Sequence, residues 1–304
     1  MINATLATLF LSQVAAPGSP VPVADPMNLN IGRSGTITVP LNQIVDTTTG
    51  ISVTPAQIAE FADNKRFVFL GENHATTPHQ QLEADIVEAL QKRGRRVIVG
   101  LEMLTRPVQP SLDRFIGGVT DEATFLTESD WKKQWGFDYA FYRPVLEAAR
   151  KGQSRTIALN VPRDWVRAVG RNGMAGLTPA QRLQLPSVME VGVGRHQDVF
   201  DALMGGHPAT NADKILAAQT LWDEGMADTA LKALGTDIDD PKVVMVIIAG
   251  SGHIMYGQGI NLRVARRTGH RGVNVVMGQS ATDAKVAKGL GDFVYITPEK
   301  KAEK

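Results

Sequence analysis

Residues 67–103, FVFLGENHATTPHQQLEADIVEALQKRGRRVIVGLEM, carry the reading that decides the fold. Phe67–Leu70 is an apolar run of strand length. From His79 to Arg93 the apolar residues Leu82, Ile86 and Leu90 recur every four positions, the stripe of an amphipathic helix, and Gly94 supplies the turn that ends it. Val97–Met103 is apolar again. Strand, helix and strand in that order make a βαβ unit, and a connection of helix length is what parallel strands require.

Working outward, Thr156–Asn160 reads as a third strand, Val243–Ala249 as a fourth and Val273–Met277 as a fifth. The fourth, VVMVIIA, is a continuous run of the kind found where both faces of a parallel sheet are covered. More than eighty residues separate the third from the fourth, mostly with helical patterning and including Ala212–Leu234, so a helical insertion is expected there. Upstream, Thr54 as N-cap and Pro55 at the first helical position open a short helix up to Phe61, and Gly35–Pro40 alternates like a strand. The expected fold class is α/β: a three-layer, mostly parallel sheet with helices on both faces and a helical insertion between strands three and four. Residues 41–298 form one domain on this reading. An N-terminal extension at 17–40 precedes it, beginning with a tether at 17–34 rich in Pro, Gly and Asn, and a charged tail at 299–304 follows.

A chain of 304 residues can bury roughly three quarters of its unfolded surface, so polar groups inside the fold are tolerated. The net charge of +1, from 32 Lys and Arg against 31 Asp and Glu, offers no field to hold a polyphosphate backbone and argues against a nucleic acid partner. There is no cysteine, hence no disulfide, thiolate nucleophile, sulfur-ligated cluster or cysteine-linked lipid anchor. Residues 1–16 contain an apolar run from Ala4 to Leu11 and end in Ala15 and Ala16, which suits a signal peptide and a periplasmic or otherwise extracytoplasmic location, although no Lys or Arg precedes the run. No other stretch approaches the ~18 uninterrupted apolar residues of a membrane-spanning helix.

The first strand runs into Gly71-Glu72-Asn73-His74 and the fourth into Gly250-Ser251-Gly252-His253, so a G-x-x-H pattern occurs twice, each time directly after an apolar strand. In an open parallel sheet ligands bind beyond the carboxyl ends of the strands, where a glycine lets the backbone turn and aim the next side chains into the crevice. Glu102, at the end of the second strand, joins them. A carboxylate beside a sheet core costs several kcal/mol unless it is paired or bound to a cation, so Glu72 and Glu102 need partners. One such motif carries little weight, because a strand-end glutamate often caps a helix; two histidines and two glutamates at three strand ends have few structural uses.

Other residues are candidates of a second order. His79 opens the first helix, within reach of the same crevice or simply solvated. Asn160 ends the third strand and is followed by Arg163, a guanidinium suited to a carboxylate. On the helix 212–234, Leu216, Gln219, Asp223 and Met226 share a face, so two polar groups interrupt an apolar stripe; they bind something or cap the sheet loops. Trp131, Trp135, Phe137, Tyr139, Phe141 and Tyr142 either wall a flat hydrophobic ligand or pack a helical excursion.

The ordered series GENH, LEM, Gln109, the pair Trp131 and Trp135, YRPVLEAAR, ALNVPR, AAQTLWDEGMA and AGSGHIMYGQG resembles the ChaN-like haem-binding uptake proteins, part of a wider superfamily with the Tiki proteases and the erythromycin esterases. The likeness spans residues 41–279. It implies an α/β fold, an extracytoplasmic location, haem or iron-related binding, and two protomers able to sandwich haem as a homodimer. It also implies a runner-up. Tiki-like relatives use paired G-x-x-H motifs with a glutamate in metal-dependent peptide cleavage, and erythromycin esterase relatives place a catalytic Glu-x-His cluster there; the matching positions are Glu72, His74 and His253. The lack of Cys departs from the lipoprotein habit of ChaN-type proteins.

Each reading makes its own chemical demands. Haem needs an apolar slot, an axial ligand and cations for its propionates, and His79, Tyr142, Met226, His253 and Tyr256 are all able to ligate iron. Gln109, Asn160, Arg163, Gln219 and Asp223 complete the binding candidates. In the hydrolase, His74, His253 and either Glu72 or Glu102 hold a divalent metal ion while the other carboxylate serves as general base. Without a metal, His74 is the base, oriented by a glutamate. A third possibility is a crevice that binds another small ligand and presents it to a partner.

Overall fold

The computed structural model describes residues 24–205 and 212–299. The expected signal peptide, the start of the tether and the charged tail beyond Glu299 lie outside the described residues. The strands are β1 (Thr36–Val39), β2 (Ile44–Asp46), β3 (Ser52–Val53), β4 (Phe67–Glu72), β5 (Arg96–Thr105), β6 (Arg155–Asn160), β7 (Val243–Gly250), β8 (Val273–Ser280), β9 (Ala284–Ala287) and β10 (Phe293–Pro298). One sheet takes the order β3-β2-β10-β8-β4-β7-β5-β6. From β10 to β6 all neighbours are parallel, and β2 and β3 add an antiparallel edge. β1 and β9 form a separate antiparallel ribbon.

Both faces of the sheet are covered, and the alternation along β7 shows how. Val244, Val246 and Ile248 pack with Ile86 and Leu90 of the helix Thr77–Lys92 and with Leu146 of the helix Arg143–Lys151. Val243, Met245 and Ile247 pack on the other side with Ala227 and Ala230 of the helix Ala212–Leu234 and with Val264 of the helix Ile260–Thr268. Burying each such side chain is worth ~1.5–3 kcal/mol over exposing it, so the sheet cannot slip by one residue without losing both layers at once. The resulting fold is the expected three-layer α/β one. The helical insertion stands between β6 and β7 and holds helices Arg163–Asn172, Pro179–Arg182, His196–Leu203 and Ala212–Leu234; the first and last of these share a small apolar centre of Val161, Trp165, Leu185 and Leu221, while Val199 of His196–Leu203 joins the layer on the sheet.

The βαβ unit read from residues 67–103 is present, with β7 inserted between its two strands. Thr54 caps its helix as expected and shares a reciprocal box with Gln57. Four strands escape the sequence reading: β2, β3, β9 and β10. The apolar part of β10, Phe293–Ile296, is four residues long; pairing with β8 and β2 makes it a strand, not local pattern. The tether also needs correction where it is described. Residues 26–31 lie on the domain: Ile31 is buried, the Met27 carbonyl accepts from the Ala287 amide at 2.8 Å, and Asn28 donates to the Lys285 carbonyl. Low hydrophobicity hid this, because the anchoring is largely by backbone.

Candidate functional site

β7 lies between β4 and β5, with Glu72 opposite Gly250 and Leu101 opposite Ile248. The carboxyl ends of three neighbouring strands therefore deliver Glu72, Glu102 and the Gly250–His253 turn to one place. The two G-x-x-H turns also pack on each other. A β-carbon at Gly71 would lie 3.0 Å from the Ser251 α-carbon and 3.1 Å from the Ile254 β-carbon, so glycine is what lets them meet.

One half of the site is built on the face covered by the helix Thr77–Lys92. Val68 and Leu70 point to that layer, and Glu72 continues the alternation. Its carboxylate is buried and bonded on all sides. His74 Nδ1 stands 2.6 Å from Oε1, the Tyr142 hydroxyl donates to Oε1 at 3.2 Å, and Gln80 donates to Oε2. Glu83, one turn beyond Gln80, is fully buried beside Glu72, and no donor reaches either of its oxygens. Burial and the Glu72 charge push the Glu83 carboxyl well above the usual range, so it is held as the acid, which can donate to Glu72. Burial works to lower the His74 pKa, but the bond to Glu72, with the Glu102 charge behind it, wins and raises it. The ring is walled by Trp135, edge-on at 4.7 Å between centroids, and by Phe137 at 5.7 Å, and its side chain keeps 12% exposure.

The other half is built on the opposite face. Glu102 Oε2 accepts from the Gly250 amide at 2.7 Å, and Oε1 stands 3.5 Å from His253 Nε2. Asp223, on the helix Ala212–Leu234, approaches His253 Nδ1 to 2.6 Å, and Gln219 lies 3.0 Å from the same nitrogen. Burial opposes a charge on His253, yet the Glu102 and Asp223 carboxylates outweigh it and lift the imidazole to about 10. Glu102 is held at about 2: burial raises it, and His253, His74 and the Gly250 amide together overcome that. Behind Asp223 the ion network continues to His196 Nε2 at 2.9 Å and Arg263 at 3.4 Å, and from Arg263 to Glu224 and Arg267. The charges of both histidines bear on Glu102, so the two halves meet at the end of the sheet.

The remaining candidates fall in different places. Both nitrogens of His79 are used: Nδ1 accepts from the Asn73 amide at 3.0 Å and Nε2 stands 3.1 Å from the Thr297 hydroxyl, while burial lowers it to about 4. It braces the GENH turn from behind. Met226 lies in the apolar layer with Ile254 and Met255. The Tyr256 hydroxyl donates to the Pro26 carbonyl and accepts from the Leu29 amide, and Tyr142 is spent on Glu72. Gln109 pairs with the free edge of β6, donating to the Thr156 carbonyl and accepting from the Ala158 amide, as a further strand would. Asn160 donates to the Glu102 carbonyl, which leaves its own buried oxygen without a partner. Arg163 donates to the Lys133 carbonyl and feels the Glu102 charge. The aromatic segment divides: Trp131 packs tilted and Tyr139 edge-on against Phe125 in the core, while Trp135 and Phe137 face His74.

A family model described as haem-binding uptake, Tiki superfamily, ChaN, matches residues 58–264, more than half of the chain. The chain belongs to this ChaN family. Among solved structures the ChaN protein of Campylobacter jejuni, in a structure of cofacial heme binding, is similar with a TM-score of 0.63 and 19% identity, covering 83% of this chain and 95% of that one. At that identity the likeness is one of fold. The type III effector HopBA1 gives a TM-score of 0.45 and 11% identity over 81% of this chain and 94% of its own. An erythromycin esterase gives 0.46 and 12% over 81% and 77%. A search of the curated proteins finds no match. In this ChaN-family chain the candidate cluster also contains residues that sequence reasoning passed over: Gln80, Glu83, His196, Arg263 and Glu224. Their polar character within helices reads as solvated surface; only the three-residue spacing of Gln80 and Glu83 beside the Leu82, Ile86 and Leu90 stripe hints that they turn inward.

Proposed function

We propose that this chain binds haem at the ends of β4, β5 and β7, with His74 as the iron ligand. The observation that carries the reading is the setting of His74. Its Nδ1 is fixed by Glu72 at 2.6 Å, its ring is walled by Trp135 and Phe137, and it alone of the site histidines keeps solvent access with Nε2 unspent. A carboxylate on the far nitrogen fixes the tautomer and raises ligand basicity, as in other imidazole metal ligands. The five ligands expected from sequence have less support, since His79, Tyr142, His253 and Tyr256 are bonded internally and Met226 lies in the core. Arg163, with Lys133 beside it, is the cation for a propionate. Haem held here is cargo: Trp135 and Phe137 shield it, His74 ligates it and Arg163 orients it. A second copy closing over the haem belongs to this reading and to an uptake role outside the cytoplasm, and hemin-dependent doubling of mass in solution checks it.

The test is hemin titration of the purified chain. A Soret band saturating at one hemin per chain is expected, with His74→Ala losing the ligated spectrum and Trp135→Ala weakening binding. A spectrum unchanged in His74→Ala would overturn the ligand assignment, and no saturable binding would overturn the function.

A second reading is metal-free hydrolysis, favoured by the same Glu72–His74 pair, which has the form of an oriented general base. Acid release from an ester panel, abolished in His74→Ala, would support it. The metal-dependent form has less behind it, because both nitrogens of His253 face carboxylates, and among the described residues no group of three or more His, Asp and Glu is arranged to hold a metal ion.

A further inference from the structure

Tyr256 stands three residues past His253 and takes φ 59 and ψ 10, a left-handed conformation that side chains other than glycine rarely adopt. Nothing in the motif AGSGHIMYGQG demands a tyrosine for such a turn; glycine or asparagine fits it with less strain. What the tyrosine adds is its hydroxyl. It donates to the Pro26 carbonyl at 2.9 Å and accepts from the Leu29 amide at 2.8 Å, more than 220 residues away in sequence. Its own amide donates to the Leu290 carbonyl at 2.9 Å. The phenol is buried, and burial raises its pKa to about 12, so it remains a donor across the ordinary pH range.

The turn that Tyr256 closes is the one that presents His253. Ile254 packs on Gly71, directly before Glu72, and the Ile254 carbonyl accepts from Asn261 at 2.8 Å. Gly259 lies so close to the His253 carbonyl that any side chain there would overlap it. The segment is thus clamped on its sheet side by glycine contacts and on its outer side by Tyr256.

We infer that residues 26–29 are a strap which, through Tyr256, holds the Ser251–Gly257 turn, and with it His253, against the ends of β4 and β5; Tyr256 is a positioning residue. The inference stands apart from haem binding, since it concerns the turn and not its ligand. Releasing the strap lets Tyr256 leave its left-handed conformation and loosens the seat of His253 while the sheet stays intact.

The experiment follows exchange of the His253 ring proton bound for Asp223 beside the Val246 amide in the middle of β7, by nitrogen-15 NMR on the full-length chain. Tyr256→Phe keeps the ring and removes both bonds. It should speed His253 exchange roughly thirty-fold relative to Val246, the equilibrium effect of two ordinary hydrogen bonds. Leu29→Pro removes the strap's donor and should act in the same direction, and the double variant should go little beyond Tyr256→Phe. Equal acceleration at His253 and Val246 would reduce Tyr256 to a contributor to global stability and overturn the proposal, as would unchanged His253 exchange in both variants. If Tyr256→Phe does not fold, Leu29→Pro alone decides between these outcomes.

Discussion

The imidazole of His74 rests on Gly250: a β-carbon on that glycine would come within 3.0 Å of both Cε1 and Nε2. Gly250 is also the register partner of Glu72. The same strand pair thus supplies the carboxylate that grips one edge of the ring and the bare backbone that admits the other. Gly250→Ala should push the ring away from β7, and it cannot yield far without breaking its 2.6 Å contact with Glu72. Hemin affinity should fall roughly ten-fold for about 1 kcal/mol of stability, an overpacking effect at the low end of its range. Soret titration and urea unfolding measure the two. Unchanged affinity would mean that His74 is free to move or is not the ligand.

Hemin binding should weaken on acidification from an unusually high pH. The His74 pKa is raised above its ordinary value because the bond to Glu72 outweighs burial. Iron competes with that proton, so affinity is full above the raised pKa and falls as pH drops through it, a midpoint above about 6.5. Glu72→Gln removes the carboxylate and should move the midpoint down, with a weaker ligand above it. Titrations at a series of pH values check both; a wild-type midpoint below that of Glu72→Gln would contradict the pairing.

Stability should decline on the alkaline side. With His253 lifted to about 10, the folded chain keeps a proton that the unfolded chain releases near its ordinary value of about 6.5. That contribution is whole below about pH 6.5 and is lost as pH rises through about 10, a few kcal/mol at most. Glu102, held at about 2, and Asp223, held below the usual carboxylate range, act in the opposite sense. Their share is present above about pH 4 and is lost as pH falls through the folded values. His253→Gln should therefore flatten the alkaline limb of the urea midpoint. A wild-type midpoint constant between about pH 7 and 10 would show that no buried imidazolium is present.

How much of this was legible follows from where the signals lie. The repeated G-x-x-H turn after an apolar strand is a local pattern, and it points to Glu72, His74 and His253, which the structure brings to the carboxyl ends of the neighbouring strands β4 and β7. Glu102 followed by the same logic. What remained hidden depends on partners distant in sequence. Tyr256 looked like an iron ligand because its bond is to Pro26, and His79 like a solvated helix start because Thr297 lies on β10, a strand whose pairing no local pattern announces. Arg163 shows the intermediate case: its position beyond β6 was readable, whereas its bond to the Lys133 carbonyl was not.

Two buried carboxyls offer the sharpest contrast. Glu102 is ionised and paired, so Glu102→Gln leaves the His253 charge half satisfied in the interior, a loss of about 3–5 kcal/mol by analogy with broken buried pairs. Glu83 is held as the acid by burial and by Glu72, and no donor reaches it. Its folded pKa lies above the unfolded one, so at neutral pH the fold carries the cost of keeping that proton, a cost that grows as pH rises from about 4.5 to the folded value. Glu83→Gln, of the same shape and already neutral, removes the cost. It should stabilise the chain by about 1 kcal/mol or more at pH 8, with no gain near pH 4, where wild-type Glu83 is protonated in both states. Urea unfolding at the two pH values is the measurement. A destabilised Glu83→Gln at pH 8 would mean that Glu83 is ionised in the native protein and that the Glu72 cluster is balanced by a cation.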